Sequence, residues 1–335
     1  MNRYKFSTLI LLIFSTLLLS CDNGDDDNDI ETEFGAVFVS SNLSPIVGIY
    51  DFSDEGDVSL VQFGIASSDA DGITYDSESE LLFVASRSNN RVEVYSDLKE
   101  TEINANLDLS FSSTSDFSNA RKLAISGDKV LIAQDAGDNN NQQNRFFVYT
   151  VSNNTATLSN TYDPQINLWD VQFAGNALYA VEDNSDTLAV FNNLLSNSDG
   201  VVTASQKVQV AGIVRTHALF YSSESDIMFM SDIGDADSGT DGAIHIIQNF
   251  SAKLSAAGTN GSIAEVDQII IEGSNTQLGN PVGLTYNSDT QKIYVAERKV
   301  DGGKLLAFDL PTANGNFAPS FSQNFSGAAA VYLAD

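Results

Sequence analysis

Three apolar runs in the chain end in an acid: ALYAVED reaches Glu182, IMFMSD ends on Asp232 and KIYVAE on Glu297. Carboxylates at equivalent strand ends meet only if the strands themselves converge. A hard cation such as Ca²⁺ takes about six to eight oxygen ligands of this kind. Asn119, Asn167 and Asn280 stand just ahead of other apolar runs and would add amide oxygens. Arg87, Arg121, Arg215 and Arg298 fall at matching places, where they would pair with the acids or receive a carboxylate ligand. His217 offers a base, and Trp169, the chain's single tryptophan, offers a flat face for a sugar or for packing. A second acidic group lies in residues 232–242, DIGDADSGTDG, where Asp235, Asp237 and Asp241 sit among glycines. The pattern matches part of a calcium loop but lacks its terminal glutamate, and a solvated acidic loop explains the same residues.

Other chemistries are poorly supplied. The chain has two histidines and one cysteine, which argues against a zinc site or a thiol nucleophile. No serine or second histidine stands with His217 in a recognisable arrangement, and His245, inside AIHIIQ, reads as structural. No glycine-rich phosphate cradle is present. Residues 135–144, DAGDNNNQQN, read as a flexible polar loop.

The elements that position these residues repeat along the chain. Residues 72–98, GITYDSESELLFVASRSNNRVEVYSDL, read as three β-strands separated by polar turns, with residues 102–109 as a fourth. Aligning on the centre of the second strand gives Phe38, Phe83, Leu131, Tyr179, Phe229 and Tyr294, spaced 45 to 65 residues apart. Each interval holds four strands and their turns. A short leading strand precedes five of the six runs: GITYD, KLAISG, DVQFAG, HALFYS and GLTYNS. The first unit lacks one, and residues 327–335, GAAAVYLAD, have that form with nothing after them. Joining the two makes a complete unit and closes a ring. The expected fold is all-β: a six-bladed β-propeller over residues 34–335, closed by pairing of the C-terminal strand with the N-terminal blade.

At GITYDSESELLFVASRSNNRVEVYS and NPVGLTYNSDTQKIYVAERKVDGGKLLAFDL the chain resembles the NHL and YVTN-type propeller repeats. That resemblance implies the fold. It leaves the activity open, because such propellers bind proteins, glycans or metals, or hydrolyse lactones. Lactonases of the gluconolactonase type, with a similar ring, hold calcium through Glu, Asn and Asp at this location, a likeness of position only. Two expectations therefore stand together. One is a binding propeller that takes a protein, glycan or small ligand on its loop face. The other is a calcium-dependent, lactonase-like hydrolase with its site at the channel mouth. A purely structural role in an envelope complex is a third.

The N-terminus carries an address. Arg3 and Lys5 precede an apolar run over residues 6–19, too short for the roughly 20 apolar residues of a spanning helix. The run ends in LLSC, which resembles the lipobox of bacterial lipoproteins. That implies removal of residues 1–20 and lipidation of Cys21, the only cysteine of the chain. Residues 22–33, DNGDDDNDIETE, cannot build a core and read as an acidic tether; they also resemble the export tags of some surface lipoproteins. The expectation is a lipid-anchored envelope protein of the outer membrane, displayed at the cell surface if the acidic stretch acts as an export tag. With 45 acidic and 16 basic side chains the formal net charge is −29. This excludes nucleic acid and anionic membrane faces as partners of the folded surface.

Overall fold

The structure is a computed structural model that describes residues 36–53 and 57–334. The apolar run, Cys21 and the acidic stretch fall outside those residues. Six sheets, each with four main strands in antiparallel order, form a ring of blades. In the second blade the order from the axis outward is Ala70–Asp76, Leu81–Ser86, Arg91–Tyr95 and Leu109–Ser112. The third begins with Ala120–Ser126 and Lys129–Gln134, the fourth with Leu168–Ala174 and Ala177–Glu182. The fifth begins with Leu219–Ser222 and Ile227–Asp232, the sixth with Pro281–Asn287 and Lys292–Glu297. In the first blade the inner strand is C-terminal. Ala328–Leu333 pairs antiparallel with Ala36–Ser41, with Val37 opposite Leu333 and Val39 opposite Val331.

Period-2 alternation explains why the second strands are almost continuously apolar. Successive side chains point to opposite faces, and here each face meets a different neighbour. Ala36 and Phe38 pack with the second blade, Val37 and Val39 with the sixth. The core is thus six clusters, one at each junction between blades. The aromatic of the leading-strand repeat has a fixed role in them. Tyr75, Tyr221 and Tyr286 lie against Phe38, Tyr179 and Phe229 of the preceding blade, with centroids 4.9, 5.4 and 4.7 Å apart.

The structure departs from the sequence expectation in one strand. The fourth strand of the second blade is Leu109–Ser112, and residues 104–107 instead turn back to the first blade. Asn104 N–H donates to Gln62 O, Gly64 N–H to Ala105 O and Leu107 N–H to Gly64 O, all at 2.8–2.9 Å. Later blades repeat the device. Gly200–Val201 runs parallel to the outer strand of the third blade, Gly261–Ile263 to that of the fourth, and Gly315 bridges to Ile271 in the fifth. The connection from third to fourth strand therefore covers the open edge of the blade before it. In the fifth blade this connection also holds the helix Phe250–Ala257, which accounts for the longest repeat interval. Phe250 is fully buried against Tyr179 and Tyr221.

Candidate functional site at the channel mouth

Leading strands start, and second strands end, at one end of the channel. At this end the pairing register slips in four leading strands: between Ala70 and Gly72, Ala120 and Lys122, Leu168 and Val171, and Pro281 and Gly283. In the first blade the slip leaves Ala329 without a pairing partner. A β-bulge re-aims the extra residue out of the ladder. The bulge residues Asp71, Arg121, Trp169, Val282 and Ala329 are among those lining a cavity of about 370 Å³ at this mouth. Lys122, Arg215, His217, Asn280, Arg298 and Lys299 complete most of its wall, with Asn42 at the seam and Ala236 from the 232–242 loop. Five lining residues are cationic and only Asp71 is acidic, inside a protein of net charge −29.

Most of these cations are already paired. Asp71 Oδ2 accepts from Arg87 at 2.9 Å and from Arg121 at 3.3 Å. Burial works to raise the Asp71 carboxyl, but Arg87, Arg121 and Lys122 outweigh it and hold it below the ordinary value. Arg121 also donates twice to Asp135 Oδ2, at 2.9 and 3.1 Å. Arg215 forks onto Asp183 at 2.9 and 3.3 Å. Arg298 differs. Its Nε donates to Asn42 Oδ1 at 2.8 Å, and its terminal nitrogens have no partner among the described residues.

His217 is held from two sides. Its ring stacks on Trp169 at 3.5 Å with planes 6° apart, and Arg121 Cζ lies 3.9 Å from the same indole. Two groups that close cannot share one face, so the indole is packed between them and is not free to stack on a sugar. His217 Nε2 is 3.0 Å from Asp183 Oδ1. Burial pushes the Asp183 carboxyl up, but His217 and Arg215 prevail and hold it at about 2. Asp183 is therefore ionised and only accepts, which places the imidazole proton on Nε2 and leaves Nδ1 a bare acceptor. Burial lowers His217 to about 4 despite Asp183, so the ring is neutral near pH 7. Both Nδ1 and Asn280 Oδ1 are buried without a protein partner among the described residues.

The three carboxylates singled out in the sequence are placed otherwise. Asp232 accepts the amides of Val214, Arg215 and Gly234, each at 2.9 Å. Glu297 accepts those of Gly279, Asn280, Lys299 and Val300 at 2.8–3.1 Å. Glu182 pairs with Lys207 at 2.8 Å. Asp232 and Glu297 fold loops at their blade ends, Glu182 pairs with a strand lysine of its own blade, and none of the three lines the cavity. Asn119 holds the carbonyls of Asp135 and Ala136, and Asn167 accepts from Asn144. In the 232–242 loop Asp235 accepts the Asp237 amide, Asp241 accepts the Asp235 amide, and the Asp237 side chain is fully exposed. Among the described residues no three His, Cys, Asp or Glu side chains are placed to hold a metal ion. The donor set at the mouth does not fit calcium.

Sequence reasoning missed Lys122 and Asp170, the first residues of KLAIS and DVQFA. Both are buried at the waist, where Lys122 borders the mouth cavity and both residues line a second one of about 570 Å³ at the opposite end. A charged residue opening an otherwise apolar channel strand was the available signal. Lys122 Nζ donates to Ala329 O at 2.7 Å and to Asp71 O at 3.4 Å. Asp170 accepts the amides of Val171 and Leu219, and burial, opposed by Lys122, raises it to about 6.

No family model matches the chain, and no curated protein matches it. Solved structures with the same architecture are numerous. A nidogen/laminin complex gives a TM-score of 0.62 at 11% identity, over 89% of this chain and 98% of that one. A candidate 6-phosphogluconolactonase from Bacteroides fragilis gives 0.61 at 12%, over 91% and 99%. Another from Bacteroides uniformis gives 0.58 at 12%, over 89% and 98%. At such identities the likeness is one of fold: the chain is a β-propeller.

Proposed function

We propose that this propeller is an envelope-anchored binding protein whose mouth cavity takes a small organic anion. The observation that carries the reading is Arg298. Its guanidinium lines the cavity, is fixed through Nε, and leaves its terminal nitrogens unpaired among the described residues. A planar fork with two free donors suits a carboxylate or phosphate. The bare acceptors His217 Nδ1 and Asn280 Oδ1 favour a ligand that also carries hydroxyl groups. Anchoring through Cys21 is consistent with the chain's path. Ala36 enters its blade opposite Asp51 and beside Leu333, at the end of the channel away from the mouth, so a tether there leaves the mouth open. Thermal-shift screening tests the ligand class. Hydroxy acids and sugar phosphates should raise the melting temperature, and neutral sugars and amines should not. Equal response to all of these classes would remove the reading.

A hydrolytic reading has one observation in its favour, the neutral His217 oriented by Asp183 at the cavity wall. Two of the structural relatives are candidate 6-phosphogluconolactonases, which share the fold at 12% identity. Turnover of a lactone by metal-free protein, lost in His217→Gln, is the result that would favour it.

A further inference from the structure

Lys122 is a buried amine that the anion-binding reading leaves unused. The residue is 6% exposed, lies at the channel waist, and borders the cavities on both sides. Its Nζ meets two backbone carbonyls, Ala329 O at 2.7 Å and Asp71 O at 3.4 Å. No carboxylate oxygen lies within ion-pair distance among the described residues, although a buried lysine ordinarily has one. The facing charges are Asp71 on the second blade, Asp170 on the fourth and Arg121 beside it. Asp71 is already committed to Arg87 and Arg121, and both Asp170 oxygens accept backbone amides.

Resting on the anion-binding reading, we propose that Lys122 captures an oxo acid covalently, as an imine, at the floor of the mouth cavity. The Arg298 fork takes the acid group, and the carbonyl carbon faces Nζ. The neutral amine attacks that carbon and forms the N–C bond. A proton passes from nitrogen to oxygen, and the carbinolamine then loses water to give the imine. Amine plus carbonyl yields imine plus water, with no oxidant or reductant. Burial lowers the Lys122 pKa, against the pull of Asp170 and Asp71, which enlarges the neutral fraction relative to surface lysines.

The test is reductive trapping on the full-length protein. Pyruvate and sodium cyanoborohydride are added near pH 7, and the labelled site is found by peptide mass spectrometry. A single reduced adduct on Lys122 is expected, suppressed by excess lactate, which has the acid group but no carbonyl. Lys122→Arg keeps the charge and should abolish the adduct, and the lactate competition needs no variant at all. Label spread over exposed lysines such as Lys99, with Lys122 unmodified, would overturn the proposal. If lactate or citrate still binds in that case, the anion site stands and only the covalent step falls.

Discussion

Arg298 of the sixth blade donates its Nε to Asn42 Oδ1 of the first at 2.8 Å, across the seam where the two ends of the chain meet. Asn42 in turn donates to Asp71 Oδ1 at 3.3 Å. The unpaired fork is thus oriented by the closure of the ring itself. Replacing Asn42 with Ala should free Arg298 to swing. Ligand affinity should then fall by about 0.5–1.5 kcal/mol, the net worth of an ordinary hydrogen bond. Competitive titration of the two proteins measures it, and unchanged affinity would mean that Arg298 needs no positioning.

Deleting residues 327–335 should unfold the protein rather than trim it. The loss strips the inner strand from the first blade and exposes Val37, Val39 and their partners at the seam. A thermal melt matching the full chain would show that ring closure contributes nothing.

Glu297 accepts four backbone amides in a fully buried position. Glu297→Ala leaves these donors unmet, at about 1–3 kcal/mol for each one that stays buried and unpaired. Denaturant melts should show the same large loss with calcium chloride or with chelator. A loss rescued by calcium would instead make Glu297 a metal ligand.

His217 gives stability a pH dependence. An ordinary histidine titrates at 6.5, and burial in the folded protein lowers His217 to about 4. Between these values the unfolded chain binds the proton more readily, so folding stability is full above about 6.5 and declines as pH falls toward 4. Asp183, held at about 2, adds a further loss only below the ordinary carboxylate range. Asp170, raised to about 6, acts in the opposite direction over the same range, so the test is a difference between denaturation curves: between about pH 7 and pH 4 the wild type should lose stability relative to His217→Gln as pH falls. Equal slopes would place the proton elsewhere.

On the lipoprotein reading, Cys21→Ser should release the protein from the membrane fraction, because it removes the sulfur proposed to accept the lipid. Membrane association equal to wild type, with no acyl mass on the wild-type N-terminus, would exclude the anchor.

The ring was legible in the sequence because each blade repeats the same alternation and the orphan GAAAVYLAD matches the missing strand. The inward-facing side chains were legible only in part. A one-residue slip at a bulge sends a side chain to the other face, and such slips occur where the leading strands of the second, third, fourth and sixth blades begin. Glu182, Asp232 and Glu297 share an alignment column yet turn to a strand lysine or to loop amides, whereas Arg121, Trp169, Arg215, His217 and Asn280 meet at the cavity. Nor does composition distinguish a paired arginine from an unpaired one. Residues 102–109 read as one strand because they carry alternating residues, but 104–107 pair with the edge of another blade.

Calorimetric titration of the most stabilising anion into wild type and Arg298→Ala tests the central claim most directly. One saturable site is expected in the wild type, weakened in the variant by about 1.5–3 kcal/mol, the range for a hydrogen bond to a charged group. Equal affinity in both proteins, with both folded, would contradict the assignment of the channel mouth as the anion site.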